Sequence, residues 1–102
     1  MTFIQVMEYE TTHPHEVEEL MDAWVAATEG KRTATHDVHT EDRDRPGRYV
    51  DIVEFPSYEL AMRNSALPET QHIAEEMRKL CADDVRFLNL DVLRDEHLAA
   101  ER

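Results

Sequence analysis

At 102 residues the chain is long enough for one domain with a modest core, and short enough that association would help to cover its apolar surface. With 41% hydrophobic and 33% charged residues, two glycines and four prolines, it has the make-up of a folded domain rather than a disordered tail. The 23 acidic against 11 basic side chains give a formal net charge of -12, which repels phosphate backbones and anionic lipid, so neither nucleic acid nor a membrane surface is expected as a partner.

The N-terminal stretch Met1-Thr2-Phe3-Ile4-Gln5-Val6 has no basic flank or long apolar run, and the expectation is a cytoplasmic protein. From Phe3 to Tyr9 the residues alternate as in a strand, with Ile4 and Val6 on one side and Phe3, Gln5, Met7 and Tyr9 on the other. Both sides carry apolar groups. Pro14 suits a first helical position, and Glu16, Glu18 and Glu19 supply negative charge near that end. Val17, Leu20, Met21, Trp24, Val25 and Thr28 then form the apolar stripe of a helix, for which Gly30 is the stop. A β-branched stretch over about Thr33–Thr40 reads as a second strand, leading into the charged turn Glu41-Asp42-Arg43-Asp44-Arg45-Pro46-Gly47.

Arg48–Phe55 reads as a third strand, with Tyr49, Asp51, Val53 and Phe55 on one face and Val50, Ile52 and Glu54 on the other. Ser57 is a good N-cap for a short helix that Asn64-Ser65-Ala66-Leu67-Pro68 interrupts. Pro68 fits the first turn of a longer helix whose stripe is Ile73, Met77, Leu80 and Cys81. Cys81 has no partner cysteine and is expected to be packing, without a catalytic role. Val85–Leu93 alternates as a last strand. Residues 1–93 therefore make one domain, and 94–102 a charged tail, short and helical or frayed.

The order βαββαβ is the split arrangement of ferredoxin-like α+β domains, in which four strands form one antiparallel sheet and the helices cover one of its faces. Apolar residues on both strand faces leave the uncovered face too apolar to stay wet, at roughly 25 cal/mol per Å². A second copy of the same face is the simplest cover, which gives a homodimer whose two sheets form an α+β barrel.

The chain also resembles a known family. Asp51-Ile52-Val53-Glu54-Phe55-Pro56-Ser57-Tyr58-Glu59-Leu60, followed by Asn64-Ser65 and by His72, is similar to the antibiotic biosynthesis monooxygenases, a family of dimeric α+β barrels, and the likeness runs over about residues 3–93. The resemblance implies a pocket between sheet and helices for a small aromatic or polycyclic, quinol-like ligand. It further implies, in some members, oxygen insertion without metal or flavin, so that no cofactor is expected. Two alternatives remain: a non-catalytic ligand-binding or interaction module on the same scaffold, and a haem-binding or haem-degrading protein. The haem-degrading branch is matched at Asn64-Ser65 and at His72, its iron ligand, but has a tryptophan where this chain has Met62 and a first-strand asparagine with no counterpart, Gln5 being the nearest amide.

His72 is thereby the candidate catalytic residue, as a base or ligand with a near-neutral pKa, although a helical histidine is more often structural. Trp24 and Met62 are candidate ligand contacts that also suit a core. Gln5, Asp51, Asn89 and Asp91 interrupt apolar strand faces and either line a cavity or sit at a wet edge, and Asn64 joins Gln5 and Asp91 as a group to orient a substrate oxygen. His13-Pro14-His15-Glu16 is explained by helix initiation, and His36 and His39 fall on opposite strand faces, so no metal site is expected.

Overall fold

The computed structural model describes residues 2–99. Its elements follow in the order β1 (Phe3–Glu10), α1 (Pro14–Ala27), β2 (His36–Glu41), β3 (Arg48–Phe55), α2 (Tyr58–Ala66), α3 (Pro68–Leu80) and β4 (Arg86–Asp91). The four strands form one antiparallel sheet in the order β2-β3-β1-β4, the ferredoxin-like arrangement that the element order predicts.

Local chemistry places the boundaries. Pro14 occupies the first turn of α1, where its missing N–H costs nothing, and the His13 N–H is taken by Thr11 Oγ1 at 2.9 Å. Ser57 caps α2 by accepting from the Leu60 N–H at 3.2 Å, and Pro68 ends that helix and opens α3. The second strand starts later than the β-branched run predicts. Thr33 is tied to α2 instead, its N–H donating to Asn64 Oδ1 at 3.2 Å and its hydroxyl to the Leu60 carbonyl at 2.6 Å. Val25, expected in the α1 stripe, is 45% exposed. It lies about 100° round the helix from Trp24, on the solvent side of the stripe. Cys81 lies just past α3 and bridges to Thr11, half-buried.

Two buried clusters join the helices to the sheet, and both draw on the same strand face. Phe3, Val53, Phe55 and Ala61 make one, with Met62 packed against it. Tyr9, Val17 and Tyr49 make the other, with Met21, Met77 and Leu80. Burying side chains of this size contributes roughly 1.5–3 kcal/mol each. Phe3 faces Phe55 at one end of the β1–β3 ladder and Tyr9 faces Tyr49 at the other, so the clusters sit at opposite ends of the sheet. The rows between them are Gln5 with Val53 and Met7 with Asp51.

On the opposite face, Val38, Ile52, Val6 and Leu88 form one cross-strand row through all four strands. Neither cluster includes any of them, and Val38 and Leu90 are 38% and 44% exposed. The residues after Asp91 form no helix as far as Ala99, and 100–102 of the expected tail lie outside the described residues. Among the described residues no helix is long and apolar enough to cross a membrane.

Candidate functional site

With the packing clusters at the two ends of the sheet, the middle of the helix-covered face is left open as a cavity of about 550 Å³. That is within the roughly 300–1,000 Å³ of small-molecule sites. Gln5 and Met7 of β1, Asp37 of β2, Asp51 and Val53 of β3 and Phe87 of β4 line it from the sheet. Helix α1 contributes Leu20, Met21 and Trp24, and α3 contributes Ile73, Ala74 and Met77. Asn64 and Ser65 of α2 complete one side, while Arg78 and Asp84 add charge.

The polar members are held in place. The Trp24 indole N–H donates to Thr70 Oγ1 at 2.9 Å, which fixes the ring, and the Arg32 guanidinium lies 5.9 Å from the ring centre. Asn64, 5% exposed, is oriented by its bond from Thr33. The Gln5 amide donates to Asn89 Oδ1 at 3.1 Å.

Asp51 is the most elaborately held group. It is 3% exposed, with Oδ2 accepting from the Tyr9 hydroxyl at 2.8 Å and Oδ1 lying 2.5 Å from His39 Nδ1. A carboxylate can only accept, which assigns the proton to Nδ1 of the imidazole. Tyr9 and His39 both stack on Tyr49, each at 5.7 Å between ring centres. Burial first, and then the negative charge of Asp51, hold the Tyr9 hydroxyl far above its ordinary pKa. Asp37, two residues before His39, has its carboxyl pushed up by burial and by Asp51, against smaller opposing effects of His39 and His36. Burial and Asp51 also push the Cys81 thiol up.

Among the residues expected at a site, Gln5, Trp24, Asp51 and Asn64 converge on this cavity. The other four stand outside its lining. His72 is exposed, because the inward positions of α3 are Thr70, Ile73, Ala74 and Met77, spaced i, i+3, i+4, i+7, and His72 falls between them on the outer side. Met62 packs into the Phe3 cluster. Asn89 and Asp91 are exposed on the edge strand β4, Asn89 meeting the cavity only through Gln5. Conversely, Tyr9 carries no motif that marks it, and the stretch His36-Asp37-Val38-His39 invites only a metal reading from its sequence. The alternation that puts Asp37 and His39 on the Asp51 side of the sheet is legible, but the β2–β3 register that pairs His39 with Asp51 is not.

Haem does not fit these residues: no histidine lines the cavity among the described residues, and His72, the ligand that the resemblance supplies, is turned to solvent. Among the described residues no group of three or more His, Cys, Asp or Glu side chains is placed to hold a metal ion.

No protein-family profile matches the chain, and neither does any curated protein. Solved structures do. SnoaB, a cofactor-independent oxygenase from Streptomyces nogalater, is similar at a TM-score of 0.78 and 17% identity, over 92% of this chain and 95% of that one. Rv0793 from Mycobacterium tuberculosis matches at a TM-score of 0.78 and 14% identity, over 95% of this chain and all of that one (100%). An antibiotic biosynthesis monooxygenase matches at 0.74 and 16% identity, over 92% and 100%. The chain therefore has the fold of the antibiotic biosynthesis monooxygenases.

Proposed function

We propose that the protein is a cofactor-independent monooxygenase that acts on a small aromatic or polycyclic, quinol-like substrate in the cavity between sheet and helices. The observation that carries this reading is the cavity itself: about 550 Å³, walled largely by Met, Leu, Ile, Phe and Trp24, with polar groups held by hydrogen bonds at Gln5, Asn64 and Asp51 and an unbonded carboxylate at Asp37. Such a site buries a flat apolar body and orients its oxygens. A shared fold does not by itself carry chemistry, so the reading leans on the site and takes the oxygenase activity described for SnoaB as its precedent.

Without a cofactor the substrate must supply its own electrons. A methylene group flanked by hydroxylated rings can do so, since one CH₂ and one O₂ give one carbonyl and one water. The protein's part is to exclude bulk water, hold the ring system and manage the proton whose loss primes the substrate for oxygen.

The working form in this reading is a cytoplasmic homodimer joined through the open sheet faces. The row Val38, Ile52, Val6, Leu88, flanked by Ile4 and Leu90, is the surface such a partner would cover. Light scattering should give twice the 11.9 kDa of the chain.

Oxygen uptake by the purified, chelator-treated protein with a panel of quinols and 1,8-dihydroxyanthrone tests the activity. Uptake above the buffer rate, with one atom of ¹⁸O₂ in the product, is expected. Quenching of Trp24 fluorescence by these compounds without any uptake would leave a ligand-binding module instead.

A further inference from the structure

The polar groups on the cavity floor are not equivalent. Both oxygens of Asp51 are already committed, Oδ2 to the Tyr9 hydroxyl and Oδ1 to His39. Asp37 lines the same cavity, yet its carboxylate makes no hydrogen bond or ion pair to a described residue. It stands on the edge strand β2, opposite Val53 and one place along the sheet from the His39–Asp51 pair, on the face the helices cover. One carboxylate is thus locked into the sheet and its neighbour is free to meet a ligand.

We infer that Asp37 is the proton acceptor of the cavity, taking a proton from the acidic O–H or C–H of a bound hydroxylated aromatic, while the Tyr9–Asp51–His39 assembly beside it is a fixed electrostatic support. In the step, the substrate C–H or O–H bond breaks, its electron pair stays on the substrate as an enolate or phenolate, and the proton bonds to an Asp37 carboxylate oxygen. No oxidant takes part. The inference deepens the oxygenase reading but requires only that such a ligand enter the cavity.

The electrostatics support these roles. Asp37 is exposed at the sheet edge, yet partial enclosure of its carboxyl and, after it, the charge of Asp51 raise its proton affinity, and a base gains effectiveness as its pKa approaches the working pH. The groups that share the face of Asp37 are Asp51 across the sheet and His39 along its own strand, while His36, on the opposite face, acts on it only at a distance. Arg78 and Asp84 line the same cavity. His36 is itself bonded to Glu54 at 2.8 Å.

Deuterium exchange into the methylene of 1,8-dihydroxyanthrone, followed by proton NMR under argon in D₂O, isolates this step from any reaction with oxygen. The wild-type protein should accelerate exchange over buffer. Asp37→Asn should lose about 10²-fold or more of that acceleration, the usual contribution of a general base, while still binding the probe by Trp24 quenching. Asp37→Glu should recover part of it. Asp51→Asn, checked for folding by circular dichroism, should lower the plateau rate and move the acid limb of the pH–rate profile to lower pH, because the charge that raises Asp37 is gone. His72→Ala should exchange like the wild type. A wild-type rate no greater than buffer, or an unchanged rate in Asp37→Asn, overturns the inference, and an unmoved limb in Asp51→Asn overturns the role given to Asp51. Exchange under argon that Asp37→Asn loses, without oxygen uptake in air, supports Asp37 as the base while removing the oxygenase reading, so the two fail separately.

Discussion

Replacing Tyr9 with Phe removes one hydroxyl from the interior and leaves the ring in its stack with Tyr49. The Oδ2 of Asp51, 3% exposed, loses the donor that now lies 2.8 Å away. A buried acceptor of this kind left without its partner costs about 2 kcal/mol. In a domain of this size that lowers Tm by roughly 8–16 °C. The same pair makes the deficit depend on pH. Folded Tyr9 keeps its proton well above its ordinary pKa of 10.0, whereas the unfolded chain releases it there. The folded state therefore binds more protons above that value, and wild-type stability falls as pH rises through it, by about 1.4 kcal/mol at pH 11 for this group alone. The Phe variant lacks that loss, so its deficit should shrink from about 2 kcal/mol at neutral pH to roughly 0.6 kcal/mol at about pH 11. Tyr49, also raised by burial and by Glu41, is present in both proteins and cancels in the difference. Urea titrations of both proteins at one fixed concentration, at neutral pH and at about pH 11, make the comparison. A deficit that is the same at both pH values would falsify the assignment of a neutral, Asp51-bonded Tyr9.

Val6→Asp places a charge in the middle of the open apolar row, between Ile52 and Leu88, and should halve the mass seen by light scattering with little change in the helical circular dichroism. Asn64→Ala removes the acceptor of the Thr33 N–H, and should cost about 1–2 kcal/mol in urea unfolding and weaken binding of quinol probes. Trp24→Phe loses the bond to Thr70 and a large part of one cavity wall, so probe affinity measured by calorimetry should fall about tenfold, at about 1.4 kcal/mol, while the fold persists.

The order of strands and helices was written in local signals: alternation from Phe3 to Tyr9, the proline and glutamates that open α1, Ser57 as a cap, and Pro68 between two helices. These depend on neighbours a few positions apart, and so does the apolar character of both strand faces, which is why the two-sided sheet could be read directly. The points of disagreement all involve distant partners. Thr33 through Thr35 have strand propensity, but contacts to α2 hold Thr33 out of the sheet. His72 matches a family position, yet the rotation of α3 about its own axis turns it to water while Ile73 and Met77 face the cavity. Gln5 and Asp51 have the same sequence signature as Asn89 and Asp91, a polar residue interrupting an apolar strand, and only their places in the sheet separate them: the first two lie on the central strands β1 and β3, while the edge strand β4 reaches the cavity at Phe87 and not at Asn89 or Asp91. The sequence by itself determined which residues form strands and helices and that one sheet face lacks a cover. Tertiary structure alone decided the cavity and its chemistry, because Tyr9, His39 and Asp51 meet through strand registers spanning up to 42 positions, and periodicity within a strand carries no information about which row of its neighbour it will face.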